Sequence, residues 1–183
     1  MYFFFFGIIR EYKGIDDLLI EFSKSVNIYK ENKIKLIIFG ECFDIRLRKL
    51  IEKYQISLKD ILICELEHIV DKDVQIFFNA CDVVVHPFKK ITTSGSVILA
   101  LSFIKPIICP RIGGLKELPN NIGFFYNPKG KKGLSNCLGK AFANKDNLEG
   151  MGKNVLRYVE NLSWDKIAEK TYKTYKKLYQ GFV

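Results

Sequence analysis

The sequence has few of the residues that cross-link small proteins through disulfide bonds or bind metal ions. It has only two histidines, and its five cysteines form no C-x-x-C pair; they are Cys42, Cys64, Cys81, Cys109 and Cys137. An odd number of widely spaced cysteines argues against a disulfide framework and against the ligand pattern of a zinc site. We therefore expect buried free thiols in a reducing cytosol, with no metal and no cofactor.

Long apolar segments are also missing. No segment approaches the ~20 apolar residues that a membrane-spanning helix needs. The apolar run at residues 1–9 has no basic residue before it and no small-residue cleavage site after it, so it predicts a buried strand rather than a signal peptide. We expect a cytoplasmic protein, at most peripheral at the inner face of the membrane.

Positive charge exceeds negative charge in this sequence. The 183 residues carry 29 basic and 20 acidic side chains, a formal charge of +9. Much of the excess lies at Lys131, Lys132, Lys140, Lys166, Lys170, Lys173, Lys176 and Lys177. Solvated helix faces and attraction to an anionic membrane surface both account for such charge. Nucleic acid is not expected as a partner, because no aromatic stripe is evident between the basic residues.

Short apolar runs alternate with segments of helical periodicity. The runs predict strands at residues 2–9, 34–39, 61–64, 82–87, 106–109 and 123–126. Helical spacing appears at residues 15–26, 43–54, 74–78, 95–103 and 148–159, and after Ser163. Strands that are apolar along their whole length are covered on both faces, and strands separated by helices run parallel.

The predicted fold is therefore α/β, a doubly wound, Rossmann-like parallel sheet of about six strands followed by C-terminal helices. We expect a single domain over residues 1–183, with a helical segment at 146–180. The last helix carries an aromatic stripe that we expect to pack against the body of the protein. The stripe comprises Trp164, Ile167, Ala168, Tyr172, Tyr175 and Tyr179.

Two loops that follow strands carry candidate ligand-binding residues, because doubly wound sheets bind ligands beyond the carboxyl ends of their strands. The first contains Gly7, Arg10 and Lys13, whose cations can neutralise a diphosphate. It is neither a Walker loop nor a G-x-G-x-x-G fingerprint. Surface cations in a turn remain the alternative.

The second loop is rich in hydroxyl groups and opens an apolar helix at Thr93-Ser94-Gly95-Ser96. A phosphate can accept hydrogen bonds from the unpaired N–H groups of a helix start and from nearby hydroxyls. Gly95 allows a phosphate to approach the backbone closely. An ordinary N-cap is the alternative, since serine is a preferred capping residue.

Together these segments resemble a known family. The matching pieces, in order, are FFGIIREYKGIDDLL (5–19), LIIFG (36–40), IFFNACDVVVHP (76–87), SGSVILAL (94–101), KPIIC (105–109), IGGLKE (112–117) and SWDKIA (163–168). The chain resembles the C-terminal, donor-binding half of GT-B fold glycosyltransferases, closest to the group 1 or family 4 type.

The resemblance implies retaining, metal-independent transfer of a sugar from a nucleoside-diphosphate sugar, in the synthesis of cell-surface polysaccharide or glycoconjugate. It implies diphosphate contacts from the loop residues already named, Gly7, Arg10, Lys13, Thr93, Ser94, Gly95 and Ser96. It places the base or the sugar near Glu67, His68, Ile69, Val70, His86, Gly113, Gly114 and Glu117. It assigns no catalytic residue. Structural roles stay open for the histidines and a capping role for Glu117.

The chain departs from the family pattern in three ways. Ile8 stands where an arginine is common, and residues 91–99 contain no carboxylate where the family has paired glutamates. Family members are also about twice as long, so an N-terminal acceptor domain or partner subunit is expected beside this chain. A non-catalytic interaction module and a basic peripheral membrane protein are therefore kept as alternatives.

Overall fold

One six-stranded parallel sheet organises the chain, in the order β3-β2-β1-β4-β5-β6. The computed structural model describes residues 1–130 and 132–180; Lys131 and residues 181–183, with the predictions that include them, lie outside the described residues. The strands are β1 (Tyr2–Phe6), β2 (Lys35–Phe39), β3 (Leu62–Glu65), β4 (Val83–Val85), β5 (Ile107–Pro110) and β6 (Gly123–Tyr126). All neighbours pair in parallel, which confirms the predicted doubly wound α/β sheet.

Helices cover both faces of this sheet. The α-helices are α1 (Ile15–Ser23), α2 (Val26–Glu31), α3 (Ile45–Ser57), α4 (Asp71–Ala80), α5 (Gly95–Ser102), α6 (Gly133–Ala143), α7 (Leu148–Val159) and α8 (Trp164–Gln180). Short 3₁₀ turns lie at Glu11–Lys13, Gly113–Glu117, Asn120–Ile122, Lys145–Asn147 and Glu160–Leu162. Helices α1, α2, α3 and α6 share one hydrophobic cluster with the sheet. Helices α4, α5 and α7 share a second cluster on the opposite face.

The central strand β1 shows why its sequence is apolar throughout. Phe3 and Phe5 point into the cluster below the sheet, and Phe4 points into the cluster above it. All three rings are at most 1% exposed. A strand buried on both faces has no polar side, so it reads as a continuous apolar run rather than an alternating one.

The five cysteines are free, and all but Cys64 are buried. Burial raises the pKa of the Cys64, Cys81 and Cys109 thiols to about 12. These thiols therefore stay protonated and behave as small apolar side chains.

Several element ends differ from the prediction for local reasons. β1 stops at Phe6 because Gly7 takes a φ of +101°, a conformation that glycine adopts without penalty. β4 ends at Val85, before His86 and Pro87, because proline has no N–H to donate to a sheet. The helix predicted over 15–26 is two helices, α1 and α2.

Helix α6 is the element that the sequence analysis missed. Its buried residues are Leu134, Cys137, Leu138 and Ala141, which follow helical spacing. Three glycines, at 130, 133 and 139, disguise this pattern, since glycine is a poor helix former.

The expectation that the aromatic stripe of α8 packs against the body is wrong. No residue of α8 is buried, and Trp164 and Tyr179 are 85% and 76% exposed. At about 100° per residue, the aromatic and aliphatic side chains share one face of α8 and the lysines lie on the other. The stripe is thus an exposed apolar face with no counterpart in the described residues.

Among the described residues, none of the helices combines the length and the apolar character needed to cross a bilayer.

Candidate functional site

The two loops singled out in the sequence follow neighbouring strands, β1 and β4, at the centre of the sheet. Strand order reverses between them, since β1 leads outward to β2 and β3 while β4 leads to β5 and β6. The carboxyl ends of the strands flanking such a switch point form the usual ligand crevice of doubly wound sheets.

Direct contacts join the two loops. The N–H of Lys89 donates to the carbonyl oxygen of Tyr12 at 2.8 Å. Gly14, with a φ of +71°, lies so close to β4 that a Cβ atom there would be 2.0 Å from the carbonyl oxygen of Pro87. The loop that carries Lys13 is therefore held against the end of β4.

Lys13 sits above the end of β1, half-buried. Its Nζ lies 2.9 Å from the position that a Cβ atom on Gly7 would take, so a side chain at position 7 would displace the amine. Burial and, to a smaller extent, the charge of Arg10 lower the pKa of Lys13 to about 8. A nearby anion would favour the charged amine and raise this pKa again.

The first turn of α5 forms the other side of the crevice. Ser94 is the N-cap, and its Oγ accepts from the N–H of Val97 at 3.3 Å and lies 3.0 Å from Ser96 Oγ. Gly95 and Ser96 are the first two residues of α5, where N–H groups have no partner inside the helix, and no other backbone partner for them occurs in the described residues. A Cβ atom on Gly95 would meet nothing within 4 Å, so open space lies beside these amides. Ser94 therefore caps the N–H group of Val97, while the N–H groups of Gly95 and Ser96 stay available to a ligand.

His86 connects the two sides. Its ring is 1% exposed and stacks in parallel on Phe88 at 5.5 Å between centroids. Burial lowers its pKa to about 3, the charge of Lys13 acts in the same direction, and the backbone of Ser96 opposes them. The ring is thus neutral at physiological pH and adjoins both Lys13 and Ser96. Its Nε2 has no hydrogen-bond partner in the described part of the chain.

A second set of predicted residues lines a cavity of about 290 Å³ at the carboxyl ends of β1, β2 and β3. We call it the Gly7 cavity; it is lined by Phe6, Gly7, Ile8, Gly40, Glu41, His68, Ile69, Asp71 and Val74. Gly7 is shared with the Lys13 side of the crevice. The structure therefore places His68 and Ile69 at the same cavity as Gly7, one of the predicted diphosphate contacts.

The neighbours of His68 and Ile69 in the chain do not line this cavity. Glu67 is exposed, and its carboxylate lies 3.6 Å from Arg48 Nη2. Val70 is 53% exposed and precedes α4. Glu67, His68 and Val70 are all exposed, and only Ile69 of these four residues is half-buried.

The glycine pair at 113 and 114 packs under the loop before α5. The N–H of Gly114 donates to the carbonyl oxygen of Thr92 at 2.8 Å, and the Thr93 methyl group lies 3.8 Å from the Cβ position of Gly114. Glu117 is exposed and lies near Tyr158 of α7, whose pKa is raised by burial and, less strongly, by the charge of Glu117. Its assignment to the base or the sugar stays a prediction.

Glu41 and Asp71 line the Gly7 cavity and were not predicted. A signal for Glu41 was available, because it directly follows the glycine that closes β2 and so lies at a carboxyl end. In residues 1–130 and 132–180, no group of three or more His, Cys, Asp or Glu side chains is placed to hold a metal ion. Transfer without a metal stays a prediction.

These features define a doubly wound α/β domain whose candidate ligand crevice lies at its switch point. Residues 1–144 match the family described as glycosyl transferases, group 1. The chain belongs to this family.

Relatives and solved structures agree with this assignment. A GDP-mannose:glycolipid 4-beta-D-mannosyltransferase of Xanthomonas campestris pv. campestris is 24% identical over 93% of this chain and 47% of its own length. The C-terminal domain of a group 1 glycosyl transferase from Francisella tularensis has a TM-score of 0.74 at 17% identity, over 87% of this chain and 84% of that chain. Anabaena HepE in complex with UDP has a TM-score of 0.75 at 15% identity, over 96% and 48%. The fold is that of GT-B glycosyltransferases.

Proposed function

We propose that this chain is the donor-binding domain of a retaining glycosyltransferase and binds a nucleoside-diphosphate sugar. The observation that carries the proposal is the meeting of Lys13 with the first turn of α5 around His86, at the switch point of the sheet. Support also comes from a relative whose name specifies GDP-mannose and from a solved structure in complex with UDP. The process we propose is the synthesis of cell-surface polysaccharide or glycoconjugate.

The proposed chemistry follows from the charges at the crevice. When the bond between the sugar and the diphosphate breaks, negative charge accumulates on the departing diphosphate. Lys13 and the free N–H groups of Gly95 and Ser96 offer fixed positive charge there. Such preorganised groups stabilise a transition state because they need no reorganisation as the charge develops.

The residues of this crevice do not specify the donor sugar. Residues 91–99 contain no carboxylate, so the contacts that we propose are to phosphate. A hexosyl group is our proposal from the mannosyl transfer named for the relative.

Gly95→Val tests the phosphate site. Since a Cβ atom on Gly95 meets nothing within 4 Å, we expect the free energy of unfolding to change by less than about 1 kcal/mol. The new side chain fills the open space beside the amides, so affinity for GDP and UDP, measured by calorimetric titration, should fall at least about tenfold, the loss of one charge-assisted hydrogen bond.

Gly139→Val is the matched control, because Gly139 also has open space around its Cβ position but lies in α6, away from the crevice. We expect it to leave nucleotide affinity unchanged. Equal affinities of Gly95→Val and the unmodified chain would remove α5 from the site. Absence of binding of either nucleotide at millimolar concentration would favour a non-catalytic interaction module.

An acceptor-binding half is the proposed partner of α8. The chain spans about half the length of the curated relatives it matches, 47%. The exposed apolar face of α8 is a surface that a further domain or subunit can cover. An anionic membrane surface is the second candidate, because five lysines lie on the opposite face of the same helix and basic amphipathic helices bind such surfaces. A cytoplasmic location, with or without peripheral attachment, is part of this proposal.

Removal of residues 163–183 tests the exposed position of α8. Since none of the α8 residues described is buried, we expect the free energy of unfolding in urea to change by less than about 1 kcal/mol. A loss above about 2 kcal/mol would show that α8 packs on the domain.

Trp164 is the chain's single tryptophan and reports which partner covers this face. A blue shift of its fluorescence with anionic vesicles, reversed by salt, would identify a membrane surface. A blue shift only with a separately produced acceptor half would identify the domain.

A further inference from the structure

The Gly7 cavity is small and has mostly apolar walls. Its volume of about 290 Å³ lies at the lower limit of small-molecule pockets. Apolar side chains form its walls, namely Phe6, Ile8, Ile69 and Val74. Gly7 lies between the cavity and the Lys13 amine. A base in the cavity and a diphosphate at Lys13 can therefore belong to the same nucleotide.

Glu41 supplies an acceptor at a fixed place in this cavity. Its carbonyl oxygen accepts from the N–H of Ile9 at 2.8 Å, and the N–H of the preceding Gly40 donates to the carbonyl oxygen of Glu65 at 3.0 Å. The backbone around Glu41 is thus tied to the loop after β1 and to the end of β3. The Cα atom from which the Glu41 side chain extends is therefore held in place before a ligand binds.

The carboxylate of Glu41 makes no hydrogen bond within the described residues. Among the described residues, its nearest charged or titratable partner is His68, whose Nδ1 lies 3.6 Å from Glu41 Oε1, too long for a good hydrogen bond. The side chain is 31% exposed. The other charged groups nearby are Asp71, which lines the cavity at the first turn of α4, and Lys13 beyond Gly7.

The chemistry of a carboxylate distinguishes nucleotide bases. An ionised carboxylate only accepts hydrogen bonds, and it can accept two side by side. Guanine presents two adjacent donors, N1–H and the 2-amino group. Uracil presents one N–H between two carbonyl oxygens, which would face the carboxylate as a second set of acceptors. A buried site built for paired donors rejects ligands that lack them.

We propose that Glu41 selects guanine, so that the donor of this chain is a GDP-sugar rather than a UDP-sugar. This inference rests on the proposed function, since it assumes that a nucleoside diphosphate occupies the crevice. Glu41 accepts the N1–H and 2-amino donors of the base, while the apolar walls contact its faces.

Titration of the full chain with GDP, UDP and inosine diphosphate tests this selection, because inosine diphosphate lacks only the 2-amino group of GDP. We expect GDP to bind at least about tenfold more tightly than either of the others, the effect of one hydrogen bond to a charged group. Glu41→Gln should weaken GDP and bring the three affinities within about threefold of one another.

Glu65→Gln is the matched control. Glu65 ends the neighbouring strand β3, is exposed and does not line the cavity. We expect it to retain the preference for GDP. Unfolding in urea, measured for both variants, shows whether either one has lost its fold.

Each remaining outcome decides a different point. Tight binding of UDP by the unmodified chain, or a preference for GDP that survives Glu41→Gln, would overturn the selection by Glu41 and leave the proposed function standing. If Glu41→Gln instead weakens GDP but not 2′-deoxy-GDP, the carboxylate binds the ribose, and the guanine assignment is wrong. Failure of all nucleotides to bind would overturn the proposed function itself.

Discussion

Lys13→Ala should weaken the binding of a nucleoside diphosphate by about 1.5 to 3 kcal/mol, or about 10- to 150-fold, the range for a hydrogen bond to a charged group. The reason is that Lys13 is the half-buried cation of the crevice, placed beside Gly7 and the neutral ring of His86. Calorimetric titration with GDP and UDP measures the effect. Lys153→Ala, on α7 and paired with Glu149, controls for the loss of one positive charge.

The pKa of Lys13 adds a pH signature to this prediction. In the free protein the amine has a pKa of about 8, and a bound diphosphate raises it. Binding therefore takes up a proton above pH 8, and affinity should fall about tenfold between pH 7 and pH 9. Lys13→Arg stays charged throughout this range, so its affinity should be flat. A pH profile that is the same for lysine and arginine would remove Lys13 from the site.

Gly14→Ala should lower the free energy of unfolding by about 3 to 4 kcal/mol, because backbone strain and steric overlap add at this position. Gly14 has a φ of +71°, and an added Cβ atom would lie 2.0 Å from the backbone oxygen of Pro87. Relief of this overlap requires the Lys13 loop to move away from the end of β4. The variant should therefore bind nucleotide poorly even under conditions in which it is folded.

Gly139→Ala is the contrasting substitution in the same experiment. Gly139 lies inside α6 with open space around its Cβ position, so alanine should stabilise the protein by up to about 1 kcal/mol through its helix propensity. Urea unfolding of the two variants gives the comparison. Equal stabilities would show that the loops after β1 and β4 are not in contact.

Most of the sheet could be predicted because its strands are buried on both faces. Such strands need an apolar side chain at every position, and β6 lies at the residues predicted, Gly123–Tyr126. Helix α6 could not be recognised, because the glycines around its apolar positions weaken the local signal. Its stability comes from packing against the sheet by Leu134 and Leu138, which is a tertiary effect.

The candidate site was predictable only by residue type. Lys13 and Ser94–Ser96 were singled out from their loops, but their proximity depends on the order of β1 and β4 in the sheet. Glu41 was missed although its place directly after β2 was a signal, because many acidic residues in such loops lie on the surface. The cavity in which Glu41 has its proposed role is formed by the loops after three different strands.

Amino-acid patterning by itself determined the class of fold and the positions of the strands. The reason is that a strand buried on both faces is apolar at every position of a short segment. Tertiary structure alone decided which loops meet, that Glu117 lies near Tyr158 of α7 and that α8 lies exposed. The physical reason is that local periodicity records which face of an element is apolar. What covers that face depends on contacts between residues far apart in the chain, and local periodicity does not record them.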